Sequence, residues 1–107
     1  MAILRSNFTG PDGRSYPQIE LAQQSDWSLF DRIARILEAE LAGAWGDRVD
    51  GLDERYWDLN ASSGRLTLHL QHYLGISLYP TGGADADTGS VALLDRAQAL
   101  LTVRLAS

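Results

Sequence analysis

Between Tyr56 and Pro80, polar and apolar residues alternate in three short runs, the period-two pattern of strands covered on one side. Leu66, Leu68 and Leu70 share one parity while Arg65, Thr67, His69 and Gln71 share the other, so the leucines point to the core. Trp57 and Leu59 join them only if Trp57 lies opposite Leu68 and Leu59 opposite Leu66. That register makes Ala61-Ser62-Ser63-Gly64 the turn, because a slip of one residue would turn a whole strand inside out. Tyr73-Leu74-Gly75 reads as a three-residue loop whose last position takes positive φ, which glycine does without steric cost. This loop pairs His72 with Ile76 and Leu70 with Leu78, turning His72 inward and setting Gln71 against Ser77. His69 then falls between Tyr56 and Tyr79, with Asp58 as a diagonal neighbour. Pro80, which has no N–H to donate, ends the third strand.

Two stretches change period. Phe30, Ile33, Leu37 and Leu41 recur at spacings of three and four, and Leu29 and Ile36 widen the stripe, which predicts an amphipathic helix. Ser25 is placed as its N-cap, Asp26 favours the positive end of its dipole, and Gly43 stops it near residue 42. Val91, Leu94, Ala97, Leu101 and Leu105 keep the same spacing and predict a second helix from about Ser90 to Leu101 or beyond, entered through the flexible segment Thr81 to Gly89. Near the start, Ala2 to Arg5 suits a brief strand, Gly10-Pro11-Asp12-Gly13 is a turn, and Ile19 and Leu21 point inward from a strand near residues 17 to 22. The order β-α-β-β-β-α predicts an α+β two-layer sandwich: an antiparallel sheet with two helices on its leucine face and its other face uncovered.

Composition narrows the chemistry. A chain of 107 residues suits a single domain, residues 1–107, large enough to bury a core without disulfides. It has no cysteine, which excludes thiol nucleophiles and thiolate metal sites, and all nine basic residues are arginine. Without lysine, Schiff-base catalysis and the ordinary P-loop are excluded. A net charge of −5 opposes general attraction to nucleic acid or anionic membranes. No run approaches the roughly 20 apolar residues that cross a bilayer, so a soluble, cytoplasmic, bacterial protein without a cofactor is expected.

Two groups of residues remain as candidate sites. The polar face of the three strands collects Tyr56, Asp58, Thr67, His69, Gln71, Ser77 and Tyr79, where an imidazole beside a carboxylate and two phenols has the makings of an acid–base set. No serine elbow, dinucleotide loop or carboxylate pair accompanies it, so a non-enzymatic role is expected. His69-x-x-His72 has a metal-ligand spacing only on a helix; on a strand the two project to opposite faces, and no metal site is expected. Asp85-x-Asp87 resembles the opening of a calcium loop, but Arg96 stands where the closing glutamate belongs, which leaves these acids to cap the second helix or to decorate a mobile loop.

The other candidate is acidic. Asp47, Asp50, Asp53, Glu54 and Asp58 face only Arg48 and Arg55 within twelve residues, a local charge of −3 bordered by Trp45, Tyr56 and Trp57. Aromatic residues beside a charged rim are common material of protein interfaces. In size, charge and expected architecture the chain resembles immunity proteins that neutralise toxins, which implies a protein partner. The reading is a protein-interaction module that forms a homodimer or binds a basic protein partner, either through the open sheet face of Tyr56, Asp58, Thr67, His69, Gln71, Ser77 and Tyr79 or through the acidic Asp47, Asp50, Asp53 and Glu54. The alternative is a small-molecule-binding module or small enzyme that uses the Tyr56, His69 and Tyr79 face.

Overall fold

The computed structural model describes residues 3–106. They form an α+β fold in the order β1 (Leu4–Thr9), β2 (Ser15–Ala22), α1 (Trp27–Glu40), β3 (Ala44–Asp50), β4 (Glu54–Ala61), β5 (Gly64–Gln71), β6 (Gly75–Pro80) and α2 (Thr88–Arg104), with a turn of 3-10 helix at Gly83–Asp85. The six strands make one antiparallel sheet in the order β1-β2-β6-β5-β4-β3.

The sequence pattern places the core correctly. Trp57 lies opposite Leu68 and Leu59 opposite Leu66. Leu66, Leu68 and Leu70 are fully buried, as are Ile19, Phe30, Ile33, Leu37, Leu78, Leu94 and Leu101 from the neighbouring strands and both helices. These side chains belong to one buried cluster. Burial of such side chains, at roughly 1.5–3 kcal/mol each, dominates the stabilisation of the fold.

The strand order differs from the expected β-α-β-β-β-α by two strands. β1 and β3 are the edges of the sheet, and each has one neighbour. In β1 every residue but Ser6 is exposed, and in β3 every residue but Trp45, so neither shows the alternation that burial imposes. β3 is further broken by a bulge between Trp45 and Arg48. Ala2, the first residue of the brief strand expected at Ala2–Arg5, lies outside the described residues.

The β5–β6 register is also corrected. Leu70 pairs with Ile76, Leu68 with Leu78, His69 with Ser77, and Gln71 with Gly75. The shift of two residues preserves the faces, so Ile76 and Leu78 stay in the core, but His72 joins the exposed turn His72-Tyr73-Leu74 instead of pointing inward. Gly75 decides the register. It opens β6 at φ +90°, and a Cβ there would lie 2.0 Å from the Ala22 carbonyl oxygen of the adjoining strand. Only glycine lets β6 begin so close to β2.

Both helices are capped by aspartate. Asp26, rather than Ser25, caps α1 by accepting from the Leu29 N–H at 3.0 Å. Asp87 caps α2 through the Ser90 N–H at 2.8 Å, as expected for one of the two acids before it. The Ser62-Ser63 turn sits against that helix start, where Ser90 Oγ accepts from the Arg65 N–H at 2.9 Å. No helix is long and apolar enough to cross a membrane among the described residues.

Candidate functional site

The side chains that alternate with the core leucines line a hollow of about 380 Å³ on the other side of the sheet. Its wall is a row of aromatic rings crossing five neighbouring strands: Phe8 on β1, Tyr16 on β2, Tyr79 on β6, His69 on β5 and Tyr56 on β4. Neighbouring ring centroids lie 5.4 Å apart for Phe8–Tyr16, 5.8 Å for Tyr16–Tyr79, 6.2 Å for His69–Tyr79 and 4.1 Å for Tyr56–His69. The first three pairs are inclined by 43°, 53° and 88°, so the rings do not lie in one plane. Gln18, Glu20, Gln71 and Ser77 supply polar groups between the rings.

Within this hollow His69 is the most constrained group. Its ring is stacked on Tyr56 at 17° to parallel, and its Nε2 is buried without a hydrogen-bond partner. Burial holds its pKa below the ordinary 6.5, although the charge of Glu54 pulls the other way. The imidazole is therefore neutral at neutral pH. Tyr79 is pushed well above the ordinary phenol range, first by burial and then by the charges around it, among them Asp58 and Glu54. Burial also raises Tyr16, and it raises Tyr56, whose hydroxyl donates to Glu54 Oε2 at 3.1 Å. All the rings that form the wall are thus uncharged, while carboxylates stand beside them.

Of the seven residues expected on this face, Tyr56, His69, Gln71, Ser77 and Tyr79 come together around the hollow. Gln71 stands opposite Gly75 rather than Ser77, which instead pairs with His69. Asp58 and Thr67 lie further along, where the buried Thr67 hydroxyl donates to Asp58 Oδ1 at 2.7 Å and lies 2.9 Å from Thr81 Oγ1. Asp58 is engaged there and makes no bond to His69. Phe8, Tyr16, Gln18 and Glu20 complete the hollow and were not among the expected site residues. Their signal was in the sequence: with Ile19 and Leu21 inward, Tyr16, Gln18 and Glu20 must face the other way. What was missing was the pairing of β2 with β6.

The acidic segment divides. Asp50 accepts from the Trp57 indole N–H at 2.7 Å and from Arg55 Nε at 3.1 Å, and both bonds hold its carboxyl below the usual carboxylate range. Glu54 takes the Tyr56 hydroxyl. Asp47 and Asp53 are exposed and make no side-chain hydrogen bond among the described residues. Trp57 packs edge-on to Phe30 at 5.1 Å, with the Arg48 and Arg55 guanidinium groups each 4.6 Å from its ring centre. Asp50 thus ties β3 to β4 and Glu54 stays within β4, while the link from β4 to α1 is made by Arg55, which donates to Asp31 at 2.9 Å.

His69 stands in the hollow and His72 in the exposed turn beyond it. Among the described residues no three His, Asp or Glu side chains gather as a metal-binding group. Larger depressions, of 430 Å³ beside Leu29 and 490 Å³ beside Tyr73, hold no buried polar atom that lacks a partner. Comparison with protein-family models, with curated proteins and with solved structures finds no match, so the hollow is read from its own geometry.

Proposed function

We propose that this protein is a non-enzymatic binding module: a two-layer α+β sandwich whose helices cover the leucine side of the sheet and whose other side receives a small molecule. The observation that carries the reading is the hollow of about 380 Å³ walled by Phe8, Tyr16, Tyr79, His69 and Tyr56. That volume falls within the range of small-ligand sites, which are mostly apolar with a few polar groups that fix orientation. His69 Nε2 supports it, because a dehydrated polar atom without a partner is an unfilled hydrogen-bonding capacity of the kind a ligand completes. No reaction is assigned. Asp58 and Glu54, the carboxylates that would orient a catalytic histidine, are bonded to Thr67 and Tyr56.

The test is a fragment screen followed by heteronuclear NMR. Binders should shift the resonances of Tyr16, Tyr56, His69 and Tyr79 while leaving α1 and α2 unchanged, and Tyr79→Leu should weaken their binding strongly. Screening that leaves all of these resonances unmoved would remove the proposal.

A second reading, a homodimer through the same face, rests on its rim. Leu4, Phe8, Val49 and Leu74 are 51%, 45%, 58% and 72% exposed, more apolar surface than a ligand hollow requires. In that case analytical ultracentrifugation would give a doubled mass, and Phe8→Glu would restore the monomer.

A further inference from the structure

We propose that the ligand of this hollow is a small organic cation, an alkylammonium or guanidinium compound. The inference rests on the binding-module reading above and specifies its substrate class.

Charge and geometry both point to it. Glu20 is the only ionised side chain among the residues lining the hollow, and none of them is basic. None of the chain's nine arginines lines the hollow: Arg14, near Tyr16 and Tyr79, is bonded to Asp12 and Asp85, Arg55 stands opposite Leu70 on the core face with Asp31 and Asp50, and Arg65, on the hollow's face of β5, lies beyond Thr67 at the far end of the strand from His69. Glu54 and Asp58, on either side of Tyr56 along the same face of β4, add negative charge close enough to act on Tyr79. An anion entering here would meet carboxylates and no donor of opposite charge. A cation would meet the reverse.

The rings suit the same class. Aromatic faces carry negative electrostatic potential, and a cation within about 6 Å of a ring centre is attracted to it, the more so where water is excluded. Tyr16, Tyr79 and His69 all line the hollow and are inclined to their neighbours by 53° and 88°, so a group seated among them is within reach of more than one ring. A flat neutral ligand would be served better by parallel rings. The single near-parallel pair, Tyr56 on His69, is already closed at 4.1 Å between centroids. Burial keeps His69 neutral and therefore compatible with a cation beside it. The one charge that opposes this effect of burial on His69 is Glu54, on the neighbouring strand β4.

The experiment uses the whole chain and a matched pair of probes. Choline and 3,3-dimethyl-1-butanol differ in a quaternary nitrogen replaced by carbon, so they share shape and differ in charge. NMR titration should give saturable shifts at Tyr16, His69 and Tyr79 with choline binding about tenfold more tightly than the isostere. Methylguanidinium should bind at the same residues. Glu20→Gln alters one exposed carboxylate and should keep the native spectrum while weakening choline severalfold; Tyr79→Leu should weaken it further. Equal or tighter binding of the neutral isostere, or shifts caused by neutral indole or by anionic benzoate but not by choline, would overturn the cation assignment and leave the binding module standing. If none of the probes moves a hollow resonance, the binding module itself fails and the assignment with it. Binding of an N-acetyl-arginine amide more than tenfold tighter than methylguanidinium would also overturn it, since the cation would then come from a partner protein's side chain.

Discussion

The Tyr56 ring lies on the His69 imidazole with centroids 4.1 Å apart and planes 17° from parallel, and His69 Nε2 is sealed from water without a partner. Protonating this ring places a charge where water cannot solvate it. The folded-state pKa is accordingly depressed below 6.5 by burial, against the opposing field of Glu54. As pH falls from neutral through 6.5, the unfolded chain takes up the His69 proton before the folded chain does. Stability should therefore fall as pH drops below that value, until the folded pKa is passed. His69→Phe, which keeps a ring under Tyr56, should flatten this part of the profile. Denaturant unfolding at a series of pH values checks the slope, and an imidazole NMR midpoint at or above 6.5 would contradict it.

Arg55 is the second constrained charge. Its side chain is 14% exposed, bonds Asp31 at 2.9 Å and Asp50 at 3.1 Å, and lies 4.6–4.9 Å from the ring centres of Trp27, Phe30 and Trp57. Arg55→Ala should cost about 2–4 kcal/mol, because it removes the cation from three rings and from Asp31 and Asp50, the latter keeping only the Trp57 N–H. Arg55→Lys should recover only part of this, since an ammonium lacks the planar fork. Urea unfolding of both variants measures the difference, and near-native stability of the alanine variant would show the cluster to be surface decoration.

Gly75 should tolerate no side chain. At φ +90°, with a Cβ placed 2.0 Å from the Ala22 carbonyl oxygen, Gly75→Ala should destabilise by about 3 kcal/mol or more. Because β6 lies beside β2 and carries Ser77 and Tyr79, weaker NMR protection should appear first along the β2–β6 ladder. An unchanged melting temperature would mean that the β5–β6 turn is set by something other than this close approach.

Ala42 points the other way. It follows α1 with φ +50°, a left-handed conformation that costs a residue with a Cβ and costs glycine nothing. Its side chain is exposed, so little packing is lost on removing it. Ala42→Gly should raise stability by about 0.5–1 kcal/mol, readable as a shift in the denaturation midpoint with an unchanged slope. A loss of stability would show that the entropy of the unfolded glycine outweighs the relieved strain.

The core was legible along the chain because burial imposes periodicity. Leu66, Leu68 and Leu70 could not alternate with Thr67 and His69 by accident, and the pairing of β4 with β5 followed once Trp57 and Leu59 had to share their face. The helices followed from spacings of three and four for the same reason. Edge strands escape this logic: Leu4–Thr9 and Ala44–Asp50 are exposed on nearly every residue, and a strand with no buried face leaves no alternating mark. The capping of α1 by Asp26 rather than Ser25 is equally invisible, since both residues can cap and one step of chain geometry chooses between them.

The site divides along the same line. That Tyr56, His69 and Tyr79 face away from the leucines is a matter of parity, which local sequence carries. That Phe8 and Tyr16 stand beside them depends on β2 pairing with β6 across more than fifty intervening residues, a choice made by the burial of Ile19 against Leu78 and by the space Gly75 leaves for β2. Parity decides which way each side chain points. Only the closed sheet decides what it points toward, because the neighbours that turn a polar face into an aromatic hollow come from strands distant in the chain.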